Sequence, residues 1–198
     1  MGFANKNIEK LRKIGRKMVL PIDRIQAILE SKIDFSNIEN VIDFGAGTLL
    51  WSEYFANKVM GGVIALDRIY KTYSPKIQNQ KITLKTNLNE IKIKPDLFFA
   101  SDVLHHISEK DSISILSKLD SKYIAIKDIN ANYKFGNFAN RAHDLRINHE
   151  RVRDIYPLSL EKILRNRGYE VEIFDVRKLW YPHFLLIGVR DEKRVQKR

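Results

Sequence analysis

The chain has 198 residues, a net charge of +11 and a hydrophobic fraction of 44%, values that predict one globular domain with a core of ordinary size. It contains no cysteine, which excludes disulfides, thiolate nucleophiles and zinc–thiolate sites. No apolar run approaches the roughly 20 residues that a membrane-spanning helix needs, and the first residues carry no secretory signal, so we expect a cytoplasmic protein.

The N-terminal segment predicts two helices. Apolar residues recur at helical spacing between residues 3 and 18, where basic residues crowd around the single acid Glu9. A second amphipathic helix is predicted directly after Pro21, which suits the first turn of a helix. We therefore expect a helical cap over residues 1–37 and a main domain over residues 38–198.

Strands and helices are predicted to alternate through the main domain. Apolar runs predict buried parallel strands at Val41–Phe44, Gly62–Leu66, Ile82–Leu84, Asp96–Ala100 and Tyr123–Ile126. Helical patterns lie between them at Leu49–Lys58, Ile69–Ile77 and Asp111–Leu119. This alternation favours an α/β fold with helices on both faces of a parallel sheet. The last two runs, GYEVEIFDV and HFLLIGVR, leave no room for a helix and predict an antiparallel pair at one end of the sheet.

The turn after the first strand is the expected ligand site, because open parallel sheets bind ligands beyond the carboxyl ends of their strands. Asp43 ends that strand, and Gly45 and Gly47 follow it. No lysine follows Gly47 as a triphosphate-binding loop requires, and Leu50 stands where a dinucleotide-binding turn has its third glycine. S-adenosylmethionine has an ammonium group and a cationic sulfur but no phosphate, so it suits a carboxylate at this strand end.

The stretch VIDFGAGTLLWSEYFA resembles the first motif of the class I S-adenosylmethionine-dependent methyltransferases, DxGxGxG. It departs from that motif at Leu49, where the family often has glycine. Later runs resemble further motifs of the family in the same order, including DVLHH after the fourth strand, and the resemblance covers roughly Ile38 to Arg190. It implies a Rossmann-like, seven-stranded, mostly parallel sheet with an antiparallel last strand, and S-adenosyl-L-methionine as the cofactor.

The resemblance also implies a set of cofactor contacts. Asp67 is expected to accept the ribose hydroxyls, and Asn87 and Leu88 to lie beside the adenine. The cofactor-binding candidates are Asp43, Gly45, Ala46, Gly47, Asp67, Arg68, Asn87, Leu88, Ser101, Asp102 and His106. Helix capping is the alternative role for Asp67 and Asp102, and turn formation is the alternative for Asn87. No metal site is predicted.

The segment after the fifth strand holds the candidates for catalysis. Between Phe138 and Leu145 the pattern favours a helix, which would bring His143 and Asp144 close to Asn140. A histidine held by an aspartate makes a good general base, and a solvated helix with a chance pair is the alternative. The catalytic candidates are His143, Asp144, His149 and Asp128.

We expect a methyltransferase that acts on an oxygen or nitrogen atom of a small, lipid-linked or glycan-linked acceptor. The sequence SDVL at the fourth strand is not [DN]PP[YF], which argues against an exocyclic amine of a nucleobase. An RNA methyltransferase is the alternative, because Lys17, Asp102 and Lys127 match part of the Lys-Asp-Lys-Glu set of ribose 2′-O-methyltransferases. The glutamate of that set is missing, since residues 181–183 read Tyr-Pro-His. A non-catalytic binding protein with the same fold is the second alternative.

The basic N-terminal helix and the charge of +11 favour an anionic partner. Three roles fit the helix: a lid packed over the cleft, a contact with an anionic membrane surface, or a contact with RNA phosphates.

Overall fold

The computed structural model describes residues 21–134, 136, 138, 145, 152–178 and 181–190. The predicted basic helix at residues 3–18 lies outside the described residues, and so do His143, Asp144 and His149.

Seven strands form a single sheet with the order β3-β2-β1-β4-β5-β7-β6. The strands are β1 (Asn40–Phe44), β2 (Gly62–Leu66), β3 (Ile82–Lys85), β4 (Leu97–Ser101), β5 (Tyr123–Ile129), β6 (Tyr169–Asp175) and β7 (His183–Arg190). The pairs from β3 to β5 are parallel, and β7 runs antiparallel to both β5 and β6. The predicted Rossmann-like sheet with an antiparallel last strand is therefore confirmed.

Four α-helices pack around this sheet in the described part of the chain. They are α1 (Ile22–Lys32), α2 (Leu50–Ala56), α3 (Glu109–Lys118) and α4 (Pro157–Arg165). Pro21 precedes α1 and Pro157 begins α4, as expected of a residue that fixes φ and needs no intrahelical partner for its nitrogen. None of the described helices is both long and apolar enough to cross a bilayer.

The alternation of side chains along each strand divides the core into two layers. Phe99 of β4 and Ala125 of β5 lie in one cluster with α1 and α2, whereas Phe98 and Ile124 lie in the other with α3 and α4. All seven residues of β5 are buried, as expected of a strand covered on both faces. The helices thus lie on both faces, as predicted. The domain boundary at residue 37 stays a prediction.

Two predicted elements differ from the structure by more than two residues at an end. The helix predicted at Ile69–Ile77 is wrong: a 3-10 helix spans Arg68–Lys71, and the chain then runs on without a helix. Pro75 explains this, because it lacks an amide hydrogen and disfavours helical backbone in the residue before it. β5 also continues to Ile129, three residues beyond the predicted end, because this part of the strand pairs with the first residues of β7.

Candidate functional site

The turn after β1 has a backbone that glycine favours. Gly45 has φ +75° and Gly47 has φ +50°, both in the left-handed region. A Cβ atom on Gly45 would lie 2.5 Å from Cγ2 of Val103, so the loop after β4 leaves no room for a larger residue. The amides of Gly45 and Ala46 donate to the carbonyl of Leu66, at 2.8 and 3.2 Å, and thereby fix the turn against β2.

Leu49 occupies the position at which the sequence departs from the glycine motif. Its φ of +66° is also left-handed, which costs roughly 1–2 kcal/mol in a residue with a Cβ atom. The side chain is 2% exposed and packs in the core with Trp51 and Phe55, a burial worth about 1.5–3 kcal/mol. The burial offsets the strain, which explains how leucine fits where glycine is usual.

Asp67, directly after β2, binds the backbone of the glycine turn through its side chain. Its Oδ2 accepts a hydrogen bond from the amide of Gly47 at 2.9 Å, and its Oδ1 accepts one from Ile69 at 3.0 Å. The hydroxyl of Tyr70 donates to the carbonyl of Gly47 at 3.0 Å. The alternative role of Asp67 as a helix cap is therefore observed. A carboxylate has further lone pairs, so a contact with ribose hydroxyls stays a prediction.

The predicted adenine contacts follow β3. The Asn87 side chain accepts a hydrogen bond from the amide of Asn89 at 3.0 Å and caps the 3-10 helix Leu88–Glu90. Its alternative role as a turn former is thus observed. Asn87 is exposed and Leu88 is half-buried, while Arg68 is exposed after β2. Their contacts with a cofactor stay predictions.

Asp43 is a buried carboxyl group beneath the turn. It is 1% exposed, and its Oδ2 accepts a hydrogen bond from the hydroxyl of Ser52 at 2.6 Å. Burial raises the pKa of Asp43 to about 7, although the hydrogen bond with Ser52 opposes this shift. Sequence reasoning did not find Ser52, which lies in the first turn of α2. We call Asp43, residues 45–47, Asp67 and Asn87 the glycine side of the site.

A buried ion pair lies at the carboxyl ends of β4 and β5. Lys127 of β5 is fully buried, and its Nζ lies 2.6 and 2.5 Å from the two carboxylate oxygens of Asp102. Asp102 has φ +53°, and its side chain is 32% exposed. Burial opposes its ionisation, but the Lys127 ammonium group outweighs that effect and holds the pKa of Asp102 far below its usual value. Ser101 lies beside the pair, with its hydroxyl 3.3 Å from Oδ2 of Asp102.

His183, the first residue of β7, borders this pair. Its Nε2 lies 3.6 Å from Oδ1 of Asp102, and its ring is stacked on that of Tyr181. Burial, reinforced by the Lys127 charge, lowers the pKa of His183 to about 3, so the ring is neutral near pH 7. Its Nδ1 has no hydrogen-bond partner among the described residues. A buried polar atom of this kind points to a water or ligand group at the site.

Asp128 points to the opposite face of β5 from Lys127. Its carboxylate lies 2.5 Å from Nδ1 of His105 and accepts hydrogen bonds from the amides of Leu104 and Ile129, at 3.1 and 2.8 Å. His105 and Asp128 are both buried, and His106 is half-buried beside them. The predicted catalytic role of Asp128 stays a prediction. We call Asp102, His105, Lys127, Asp128 and His183 the ion-pair side.

The segment between β5 and α4 begins and ends against the ion-pair side. Nε of Arg153 donates to the carbonyls of Leu104 and Ile107, at 3.1 and 2.7 Å. The amide of Ala131 donates to the carbonyl of Ile155 at 2.9 Å. The catalytic candidates between these anchors lie outside the described residues and stay predictions.

The cofactor-binding and catalytic candidates omitted three members of the ion-pair side, His105, Lys127 and His183, although the sequence analysis named Lys127 for the alternative ribose 2′-O set. The lysine inside the apolar run KYIAIKDI was a usable signal, because lysine is almost never fully buried unless it is paired. The two histidines carry no comparable local signal, since their partners belong to other strands.

A shallow groove lined by residues 30–35, Lys58 and Tyr123 lies away from the candidate site. Tyr123 begins β5, so the groove is at the opposite end of that strand from Asp128 and is not part of the candidate site.

No family model matches the chain, and no curated protein matches it. Solved structures do. Magnesium protoporphyrin IX methyltransferase (ChlM) from Synechocystis PCC 6803, with bound SAH, has a TM-score of 0.64 and 17% identity over 96% of this chain and 89% of that chain. A SAM dependent methyltransferase from Archaeoglobus fulgidus has a TM-score of 0.65 and 16% identity over 91% of this chain and 99% of that chain. The chain has the class I methyltransferase fold. Mitomycin 7-O-methyltransferase MmcR shares this methyltransferase fold at a TM-score of 0.57 and 15% identity, over 82% of this chain and 52% of that chain.

Proposed function

We propose that this chain is an S-adenosylmethionine-dependent methyltransferase that acts on an oxygen or nitrogen atom of a small, lipid-linked or glycan-linked acceptor. The observation that carries the proposal is the glycine turn after β1, held by Leu66 of the neighbouring strand β2 and by Asp67, the residue after it. It lies at the carboxyl edge of the sheet, where a parallel α/β fold binds its ligand.

The residues of the glycine side fit the cofactor. A Cβ atom on Gly47 would meet no atom closer than the Gly45 carbonyl oxygen at 3.9 Å, so a ligand has room to approach the backbone there. Asp67 supplies acceptors for the ribose hydroxyls and Asn87 supplies an amide for the adenine. Asp43, buried beneath the turn, is the acidic group for the ammonium end, where a bound cation would favour its ionised form. When bound, S-adenosylmethionine supplies a methyl group activated by a sulfonium.

Similar structures support the proposal. The ChlM structure contains SAH, and MmcR is named as an O-methyltransferase. In such a transfer the protein aligns the acceptor with the reacting carbon and excludes water. Ser101 and Asp102 lie at the carboxyl end of β4, the strand between β1 of the glycine side and β5 of the ion-pair side, and fit this aligning role.

Binding of the cofactor is the direct test. We expect calorimetry of the full chain to detect S-adenosylmethionine and S-adenosylhomocysteine, and Asp67→Ala to weaken both by about 10-fold or more, as expected for lost hydrogen bonds to a charged group. Asp34→Ala is the matched control, because Asp34 also caps a 3-10 helix through a backbone amide. Absent binding by the wild type, or unchanged affinity in Asp67→Ala, overturns the proposal. Absent binding favours the non-catalytic alternative.

An RNA methyltransferase is the second candidate. The charge of +11 favours it, and so does the Asp102–Lys127 ion pair, two members of the ribose 2′-O set. His183 stands where that set has glutamate, and Lys17 lies outside the described residues. RNA binding that weakens steeply with salt supports this candidate, and absence of RNA binding at low salt ends it.

A further inference from the structure

We propose that the acceptor is a hydroxyl group, that Asp102 takes its proton, and that Lys127 is a positioning residue for Asp102. This inference rests on the proposed function and narrows its acceptor from oxygen or nitrogen to oxygen.

Geometry singles out Asp102 as the group that meets an acceptor. Its side chain is 32% exposed, whereas Lys127 behind it is fully buried and His183 is 4% exposed. The left-handed backbone at Asp102, φ +53°, turns the carboxylate toward β5, and its amide donates to the Lys127 carbonyl at 2.8 Å. Aspartate tolerates this conformation better than most residues. An ion pair thus lies at the carboxyl edge with only its anion open to solvent.

The transfer balances with this carboxylate as the proton acceptor. A lone pair of the acceptor oxygen forms the new bond to the methyl carbon, and the carbon–sulfur bond breaks with its electrons going to sulfur. The sulfonium becomes a neutral thioether, and the acceptor oxygen gains positive charge, so its proton becomes as acidic as that of a protonated ether while the bond forms. That proton passes to Asp102 and then to solvent. A protonated ether is far more acidic than a carboxylic acid, so a carboxylate with a low pKa is a sufficient base.

The same low pKa disfavours an alkyl amine as the acceptor. An alkyl amine arrives as an ammonium ion and must lose a proton before its lone pair attacks, and a weakly basic carboxylate does not remove that proton. The buried Lys127 ammonium group, in contact with both oxygens of Asp102, maintains this weak basicity. A hydroxyl group attacks with its proton still attached and passes that proton to the base in the transition state, so a weakly basic carboxylate suffices and its loss slows the transfer.

The other charged or titratable groups around Asp102 do not replace Lys127 as its partner. His183 is neutral near pH 7 and adds no proton of its own. His105 and Asp128 pair with each other on the opposite face of β5. Lys127 is therefore the group whose removal changes the carboxylate most.

The product identifies the acceptor atom. The full chain is incubated with S-adenosylmethionine carrying a 13C methyl group and a cell extract that contains metabolites, lipids and RNA. We expect the 13C chemical shift of the labelled product to be that of a methyl group on oxygen. Label on nitrogen, or no labelled product from a chain that binds S-adenosylhomocysteine, overturns this inference and leaves the cofactor assignment standing. Absent binding overturns the proposed function itself.

Two variants test the roles of the pair. Asp102→Asn preserves the shape and the backbone conformation, and we expect it to lower turnover by about 100-fold or more, a usual effect of losing a general base, while S-adenosylhomocysteine affinity stays within about threefold. Lys127→Met should lower turnover with an added acid limb in the pH profile, because the carboxyl without its cation protonates at a higher pH. We expect no such limb in the wild type above about pH 5, because its carboxylate stays ionised.

Lys32→Met is the matched control, since it removes the cation of the Lys32–Glu172 pair, which lies on the exposed surface, and should leave turnover and the pH profile unchanged. Thermal unfolding of every variant checks that it is folded. Wild-type turnover in folded Asp102→Asn overturns the role of Asp102. Wild-type pH dependence in folded Lys127→Met overturns the role of Lys127. If Lys127→Met does not fold, Asp102→Asn and the product spectrum still decide the inference.

Discussion

The glycine side and the ion-pair side lie along one edge of the same sheet but are held by different interactions. On the glycine side, Asp67 and Asn87 accept hydrogen bonds from backbone amides in nearby turns. On the ion-pair side, Lys127 and Asp128 are fully buried and pair with side chains that follow β4. The glycine side therefore depends on backbone conformation, and the ion-pair side depends on which strands are neighbours.

The largest effect is expected from Asp128→Leu, which leaves His105 and the Leu104 amide without their acceptor in a buried place. Removing one member of a buried pair costs about 3–5 kcal/mol, and urea unfolding measures it. Asp120→Leu is the control: Asp120 is half-exposed, pairs with Lys94 and Arg190, and should cost about 1 kcal/mol or less. An equal loss of unfolding free energy in the two variants would show that the buried Asp128 pair is no more important for stability than the exposed pairs of Asp120.

Gly45→Ala tests the steric limit on the glycine side. The positive φ costs about 1–2 kcal/mol and the 2.5 Å approach to Val103 adds about 1–3 kcal/mol, so we expect a loss of about 2–5 kcal/mol in urea unfolding. Gly62→Ala is the control, because its Cβ atom would meet Lys81 at an ordinary 3.5 Å. We expect the double variant Gly45→Ala/Val103→Ala to recover only the part of the lost unfolding free energy that comes from the contact with Val103. Full recovery would assign the whole cost to packing and none to backbone strain.

The smallest effect concerns Asp43, the carboxyl group of the glycine side that is fully buried. Its pKa of about 7 lies above the ordinary value of 3.8, so the folded state holds a proton that the unfolded state has lost. Its contribution to stability is therefore fully present below about pH 4 and is lost as the pH rises to about 7. We expect the wild type to lose about 1–2 kcal/mol relative to Asp43→Asn between about pH 5 and 7. Parallel unfolding curves for the two proteins across that range would contradict a raised pKa.

Much of the fold was predictable because its signals are local. The predicted bounds of β2 agree with the structure, β1 begins one residue earlier than predicted, and β4 is shifted by one residue at both ends. Apolar runs and glycine turns are specified by a few consecutive residues, so contacts with distant parts of the chain have little effect on these elements. The helix predicted at Ile69–Ile77 failed for the same local reason, since Pro75 was present in the sequence and outweighed the apolar spacing.

The sequence by itself determined the alternation of strands and helices and the glycine turn after β1. Pairing with β7 extended β5 through Lys127 and Asp128, and these two side chains lie on opposite faces because adjacent strand residues point to opposite sides. Only the tertiary structure decided which partners these two side chains meet. β5 lies between β4 and β7, so Lys127 contacts Asp102 beside His183, and Asp128 contacts His105. Those partners lie on separate strands and loops, and folding alone brings them together.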